Sequence, residues 1–117
     1  MAKKKVTGKL SKKHCVPCKR GMPKLKPAVV KSMLAEIPGW KVKKGRLSRR
    51  IEFEDFLTLM EYVNDVAQIA ESEEHHPDFS VHYNLLDVEL WTHAIDGLSE
   101  NDFIVAAKMS ELLGGGE

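Results

Sequence analysis

Between Phe56 and Ala70 the apolar residues Phe56, Leu59, Met60, Val63, Val66, Ala67 and Ala70 recur at helical steps, forming one stripe that has to be buried against something. Glu54 and Asp55 precede it, where acids favour a helix N-terminus. On both sides of the stripe the period changes to two. Upstream, Trp40 to Lys44, a turn at Gly45, and then Leu47, Ile51 and Phe53 read as a hairpin with one apolar face. Arg49 interrupts that face, which places its strand near an edge. Downstream, Phe79, Val81 and Tyr83 alternate, then Leu86, Val88, Leu90 and Thr92, with Asn84-Leu85 as the turn between them. In this reading Tyr83 fills the core and His82 beside it is exposed. Asp87, Glu89, Trp91 and His93 share the face turned away from the helices.

Two further helices complete the order. Pro27 suits a first turn ahead of Val29, Val30, Met33, Leu34 and Ile37, and Pro38-Gly39 stops the run. Ser99, followed three residues later by Asp102, has the pattern of a capping box before "FIVAAKMSELL", and Gly114-Gly115-Gly116 closes that helix. The expected architecture is α+β in the order α-β-β-α-β-β-α, a four-stranded antiparallel sheet with three helices packed on one face. The other face, carrying Trp91, is left open to solvent or a partner.

A chain of 117 residues is the size of one domain, and 43% hydrophobic with 30% charged residues is a globular balance outside the range of disorder. Residues 1–23 read as a basic extension, flexible or loosely docked, ahead of a domain over 24–113 and a Gly-rich tail over 114–117. Lys3, Lys4, Lys5, Lys9, Lys12, Lys13, Lys19, Arg20, Lys24 and Lys26 crowd the start, where the first 26 residues hold no Asp or Glu. The net charge of +1 nevertheless argues against nucleic acid as the partner of the whole chain. No apolar run approaches the roughly 18 residues of a membrane span, and no signal-peptide core follows the lysines. A cytoplasmic protein is expected, with the nucleus or an organelle as alternatives. Cys15 and Cys18 are too close together to staple distant parts of a fold. They make half of a tetrahedral zinc site with no second cysteine pair to complete it, so no metal is expected.

Residues 71–79 read "ESEEHHPDF". Adjacent histidines at a helix exit are, by themselves, more often solvated loop residues than catalysts, and Glu71 and His75, four apart, can simply pair on a helix face. Pro77 biases His76 away from helical geometry. At longer range the residues form a spaced series, Glu-x3-His-His-Pro-x5-Tyr-x9-His-x8-Asp, running from Glu71 through Tyr83 and His93 to Asp102. This series resembles the signature of the pterin-4a-carbinolamine dehydratases, also known as dimerisation cofactors of a homeodomain transcription factor. "IPGW" at 37–40, "FEDF" at 53–56 and "THAIDGLSENDF" at 92–103 extend the likeness over residues 25–113.

The resemblance implies dehydration of a 4a-hydroxytetrahydropterin to the quinonoid dihydropterin, recycling a tetrahydrobiopterin-type cofactor. The pterin is then the substrate, and no cofactor is implied. By motif position His75, His76 and His93 are the active-site imidazoles, with His75 and His93 as the acid/base pair and His76 as a binding or assisting residue. Glu71 is the supporting carboxylate. Asp102 orients His93 or neighbouring loops, beside its reading as a helix cap. Trp40 matches a tryptophan near the site, beside its reading as core. Glu74 stands where relatives vary, and Glu71 is the more informative acid than Glu73 or Glu74. The site is expected where the His-His-Pro loop, the end of the last strand and the start of the last helix meet. A homodimer or homotetramer and a protein partner, a hydroxylase or a transcription factor, are also implied. The alternatives are a protein-binding coactivator without catalysis and a paralogue in molybdopterin metabolism.

Overall fold

The stripe that opens the sequence argument folds as a helix of 18 residues in a computed structural model that describes residues 10–114. The described elements run α1 (Pro27–Leu34), β1 (Lys41–Lys43), β2 (Arg46–Glu52), α2 (Phe56–Glu73), β3 (Asp78–His82), β4 (Leu85–Leu90), a 3-10 turn (His93–Ile95) and α3 (Glu100–Leu112). Lys3, Lys4, Lys5, Lys9, Gly115 and Gly116 lie outside the described residues. The strands form one antiparallel sheet in the order β1-β2-β4-β3. Among the described residues no helix is long and apolar enough to cross a membrane.

Register decides which side chains meet the helices. Leu47 pairs with Leu90, Arg49 with Val88 and Ile51 with Leu86, so these six share the inner face. There Leu47, Leu86, Val88 and Leu90 are buried with Leu59 and Val66 of α2 and Phe103 of α3. Each fully buried side chain of this size contributes roughly 1.5–3 kcal/mol relative to leaving it in water. Alternate positions put Arg50, Asp87 and Glu89 on the outer face. Arg50 and Asp87, directly opposite in register, make a forked pair at 2.7 and 3.0 Å.

The first hairpin turns on Lys44-Gly45, with φ of 54° and 77°, the left-handed pair that a two-residue I′ turn requires. Asp55 caps α2 by accepting the Thr58 amide at 2.8 Å. The Asp102 side chain accepts the Ser99 amide at 2.9 Å at the start of α3, as the capping pattern predicts.

Three expectations change. Arg49 does not mark an edge, because β2 lies inside the sheet. Its guanidinium reaches across to the Ser110 hydroxyl of α3 at 3.3 Å and covers Gly39, where a Cβ would lie 2.9 Å from Arg49 Cζ. Tyr83 does not fill the core. The turn is Tyr83-Asn84, since His82 pairs with Leu85, and Tyr83 is 67% exposed with φ of 57°. Asn84 ties this turn to the end of β2 by exchanging hydrogen bonds with the Phe53 backbone. The last strand ends at Leu90, so His93 is not a strand residue and opens the 3-10 turn instead.

α3 is buried nearly all round, from Asn101 to Ala107 and again at Met109 and Ser110. A helix apolar on every side needs cover on every side. The sheet and α2 supply part of it. Residues 10–18 supply more, with Leu10 and Ser11 themselves buried. Ser11 Oγ donates to Glu111 at 2.7 Å, and Lys108 Nζ donates to the Ser11 carbonyl at 2.8 Å. Part of the basic extension therefore lies along α3 as a strap.

Candidate active site

α2 ends in a sharp reversal. Glu74 takes a left-handed conformation at φ 55°, its amide donates to Glu71 O, and the His75 amide donates to Ala70 O at 3.1 Å. This is the hydrogen-bond pattern of a Schellman cap at a position that usually carries glycine. It turns His75 off the helix axis toward the start of α3.

There His75 meets Asp102. Nε2 lies 2.6 Å from Oδ1 of a carboxylate with no exposed surface, while the imidazole itself is 12% exposed. The other carboxylate oxygen accepts from the Ser99 amide and from Thr92 Oγ1, each at 2.9 Å. Thr92 Oγ1 in turn lies 2.7 Å from Ser99 Oγ. With its proton directed to Asp102, Thr92 accepts from the Ser99 hydroxyl. Asp102 is thus held on every side, and it holds His75 rather than His93. An ionised carboxylate accepts only, so a neutral His75 carries its proton on Nε2 and presents the lone pair of Nδ1.

His93 is supported differently. Its ring stacks on Trp91 with centroids 4.2 Å apart and planes 23° from parallel, and Arg46 Cζ lies 3.7 Å from the Trp91 ring centre. Arg46 also pairs with Glu89 at 2.9 Å. A cation over an indole contributes about 0.5–1 kcal/mol at an exposed site, enough to bias the rotamer of Trp91 and through it the imidazole plane. His76 is exposed and lies 3.2 Å from Glu71 Oε1. The helix-face pairing of Glu71 with His75 is replaced by this contact, because the reversal at Glu74 swings His76 back toward Glu71.

His75, His76 and His93 line one cavity of about 300 Å³ together with Glu74, Thr92, Ala94 and Asn101. The His-His-Pro loop and the start of α3 expected from the sequence contribute, but the end of the last strand does not: Thr92 and the 3-10 turn beyond Leu90 take its place. Glu71 is not among the lining residues, nor is Tyr83. Trp40 is a core residue, 5% exposed, its indole N–H donating to Ser110 Oγ at 3.3 Å. Among the described residues no cluster of three or more His, Cys, Asp or Glu is arranged to hold a metal ion.

The strap supplies a further wall, Cys15 to Cys18, and Glu73 anchors it. Glu73 is buried. Its Oε1 accepts the Cys15 amide at 2.7 Å, while Oε2 meets His14 Nδ1 at 2.9 Å and Lys108 Nζ at 3.6 Å. Burial pushes this carboxyl up, but the Cys15 amide, His14 and Lys108 outweigh it and hold the group below the usual carboxylate range. Burial, followed by the charge of Glu73, pushes the Cys15 thiol up to about 12, so Cys15 is an uncharged thiol at neutral pH.

Glu73 is therefore the acid the sequence reading undervalued against Glu71. The signal was present: Leu59, Tyr62, Val66, Ala70 and Glu73 fall on the buried face of α2 at helical spacing. Asn101 was missed as well, being polar at the head of an apolar run.

Residues 23–112 match the family described as pterin 4 alpha carbinolamine dehydratase. Two similar proteins are named "Putative pterin-4-alpha-carbinolamine dehydratase". The one from Rickettsia canadensis (strain McKiel) is 42% identical over 102 residues, covering 86% of this chain and 94% of that protein. The one from Stenotrophomonas maltophilia (strain K279a) is 47% identical over 105 residues, covering 88% and 90%. A crystal structure titled transcriptional coactivator/pterin dehydratase, from Brucella melitensis, superposes with a TM-score of 0.76 at 31% identity over 79% of this chain and 100% of that one.

Proposed function

The chain belongs to the pterin 4 alpha carbinolamine dehydratase family, and from that premise we propose that it eliminates water from a 4a-hydroxytetrahydropterin to give the quinonoid dihydropterin. The observation that carries this reading is the meeting of three imidazoles around one cavity, with one of them fixed by a buried carboxylate.

The reaction breaks the C4a–O bond, and hydroxide is a poor leaving group. A proton has to reach the departing oxygen while another leaves N5, with water as the second product. Two imidazoles on one cavity suit both transfers, since histidine exchanges protons near neutral pH and needs no metal to do so. His75 and His93 share the two transfers, His75 through Nδ1, the nitrogen Asp102 does not engage. His76, exposed at the rim beside Glu71, binds or assists. Glu74 acts through its backbone turn, and Asp102 is a positioning residue behind His75.

In the cell this activity recycles a tetrahydrobiopterin-type cofactor after aromatic hydroxylation. The same reading carries a homodimer or homotetramer and a protein partner, in keeping with the coactivator title of the Brucella structure.

The test is the rate of 4a-hydroxytetrahydropterin dehydration by the wild type, His75→Ala and His93→Ala. Each variant is expected to lose about 10²- to 10⁴-fold in kcat. A wild type that gives no acceleration over the uncatalysed reaction refutes the activity. Full activity in both variants refutes the assignment of roles.

A further inference from the structure

Cys15, Val16, Pro17 and Cys18 form one side of the cavity, across from the histidines. Their backbone is held by a device unlike ordinary surface packing. The Asn101 side-chain amide reads both polar groups of Val16, Oδ1 accepting its N–H at 3.0 Å and Nδ2 donating to its carbonyl at 2.6 Å, as a neighbouring strand would. Nδ2 also lies 3.4 Å from Cys18 Sγ, and one residue earlier Glu73 takes the Cys15 amide. Despite this clamped backbone Val16 is 61% exposed. A segment serving only as cover for α3 would turn that isopropyl group inward.

The chemistry of the wall is also selective. Two thiols, an isopropyl group and a pyrrolidine ring give an uncharged, polarisable surface, whereas the opposite side carries imidazoles and Glu74. A reduced pterin has a compact bicyclic face, puckered at its saturated carbons, and a rim of nitrogen and oxygen atoms. The face matches the strap and the rim matches the histidines.

We propose that residues 15–18 are a substrate-selecting wall, locked in place by Asn101, that sets affinity for the pterin face and takes no part in the proton transfers. The proposal rests on the reading of the cavity as a pterin site and adds to it what determines recognition there. Asn101 is a positioning residue in this scheme, because it acts through Val16.

The experiment compares wild type, Asn101→Ala and Val16→Asp in steady-state dehydration and in limited trypsin digestion, with 7,8-dihydrobiopterin as the probe ligand. Lys12, Lys13 and Lys19 are exposed and flank the wall, so cleavage there, identified by peptide mass, reports its release. Asn101→Ala removes three hydrogen bonds to the strap and is expected to raise KM about tenfold with kcat within about twofold. It is also expected to speed cleavage at those lysines, while 7,8-dihydrobiopterin slows the same cuts in the wild type. Val16→Asp changes only an exposed side chain, guards against a folding defect at the buried Asn101, and is expected to raise KM with an unchanged melting temperature. Unchanged KM in Val16→Asp, or faster cleavage of Asn101→Ala with unchanged KM, overturns the wall. Ligand protection of these lysines in a wild type without dehydratase activity supports the wall and overturns only the assigned reaction.

Discussion

Asp102→Asn changes charge and hydrogen-bond direction at almost constant shape, so it isolates what the buried carboxylate does for His75. The side chain has no exposed surface and three donors directed at it: His75 Nε2 at 2.6 Å, and the Ser99 amide and Thr92 hydroxyl at 2.9 Å. In the variant the amide oxygen stays with Ser99 and Thr92, because a backbone N–H can only donate. The NH₂ group then faces His75 Nε2. Two donors cannot share that contact, so the imidazole moves its proton to Nδ1 and offers Nε2 as acceptor. The nitrogen left for the reaction changes from lone pair to N–H. If His75 transfers a proton through Nδ1, kcat falls by about 10²- to 10⁴-fold, or about 2.7–5.4 kcal/mol of barrier, with KM little changed. Stability falls by about 1–3 kcal/mol, because the three bonds survive but each changes from charge-assisted to neutral. Dehydration kinetics give the first quantity, thermal melting the second, and nitrogen-15 NMR of the imidazole the tautomer. An inverted tautomer with kcat within threefold of wild type refutes the role given to His75.

Two further outcomes follow from the turn and from the strap's anchor. Glu74 occupies a left-handed position at φ 55°, where glycine pays no Cβ penalty, so Glu74→Gly is expected to raise stability by about 0.5–1 kcal/mol in urea unfolding. Destabilisation would show that the Glu74 side chain holds the turn. The carboxyl of Glu73 is lowered on folding, so its stabilisation is fully present above the unfolded value near 4.3 and is lost as pH falls through the lower folded value. The stability difference between wild type and Glu73→Gln should therefore shrink on acidification below about pH 4, and a difference independent of pH would show that the charge contributes nothing.

The sequence was legible where structure is local. The stripe of α2, the turn at Gly45 and the pairing of Ser99 with Asp102 each depend on residues within a few positions of one another. Long-range placement was less legible. Alternation could be counted through Tyr83 because period two continues across a turn without a change of composition, and only the pairing of His82 with Leu85 reveals the break. Arg49 suggested an edge because its partner, Ser110, lies 61 residues away. The histidines were legible as a spaced series. That Asp102 serves His75 and not His93 depends on how α2 ends against α3, which no spacing records. The strap gave the weakest signal, lysines and prolines without a period, and the clue lay in the all-round apolar "FIVAA" of α3, which demanded a cover that the sheet and α2 alone do not provide.

The strap also fixes when the cavity can exist during synthesis. Val16 meets Asn101 across 85 positions, and Ser11 meets Glu111 across 100. The strap is thus completed by a helix that leaves the ribosome well after it. Closing loops of this length carries an entropic cost, and neither contact can form before α3 has been made. A nascent chain stopped anywhere before α3 can build its hairpins and α2, but it has neither the carboxylate behind His75 nor the partner of Val16. The carboxylate behind His75 and the partner of Val16 therefore arrive together, with the same helix.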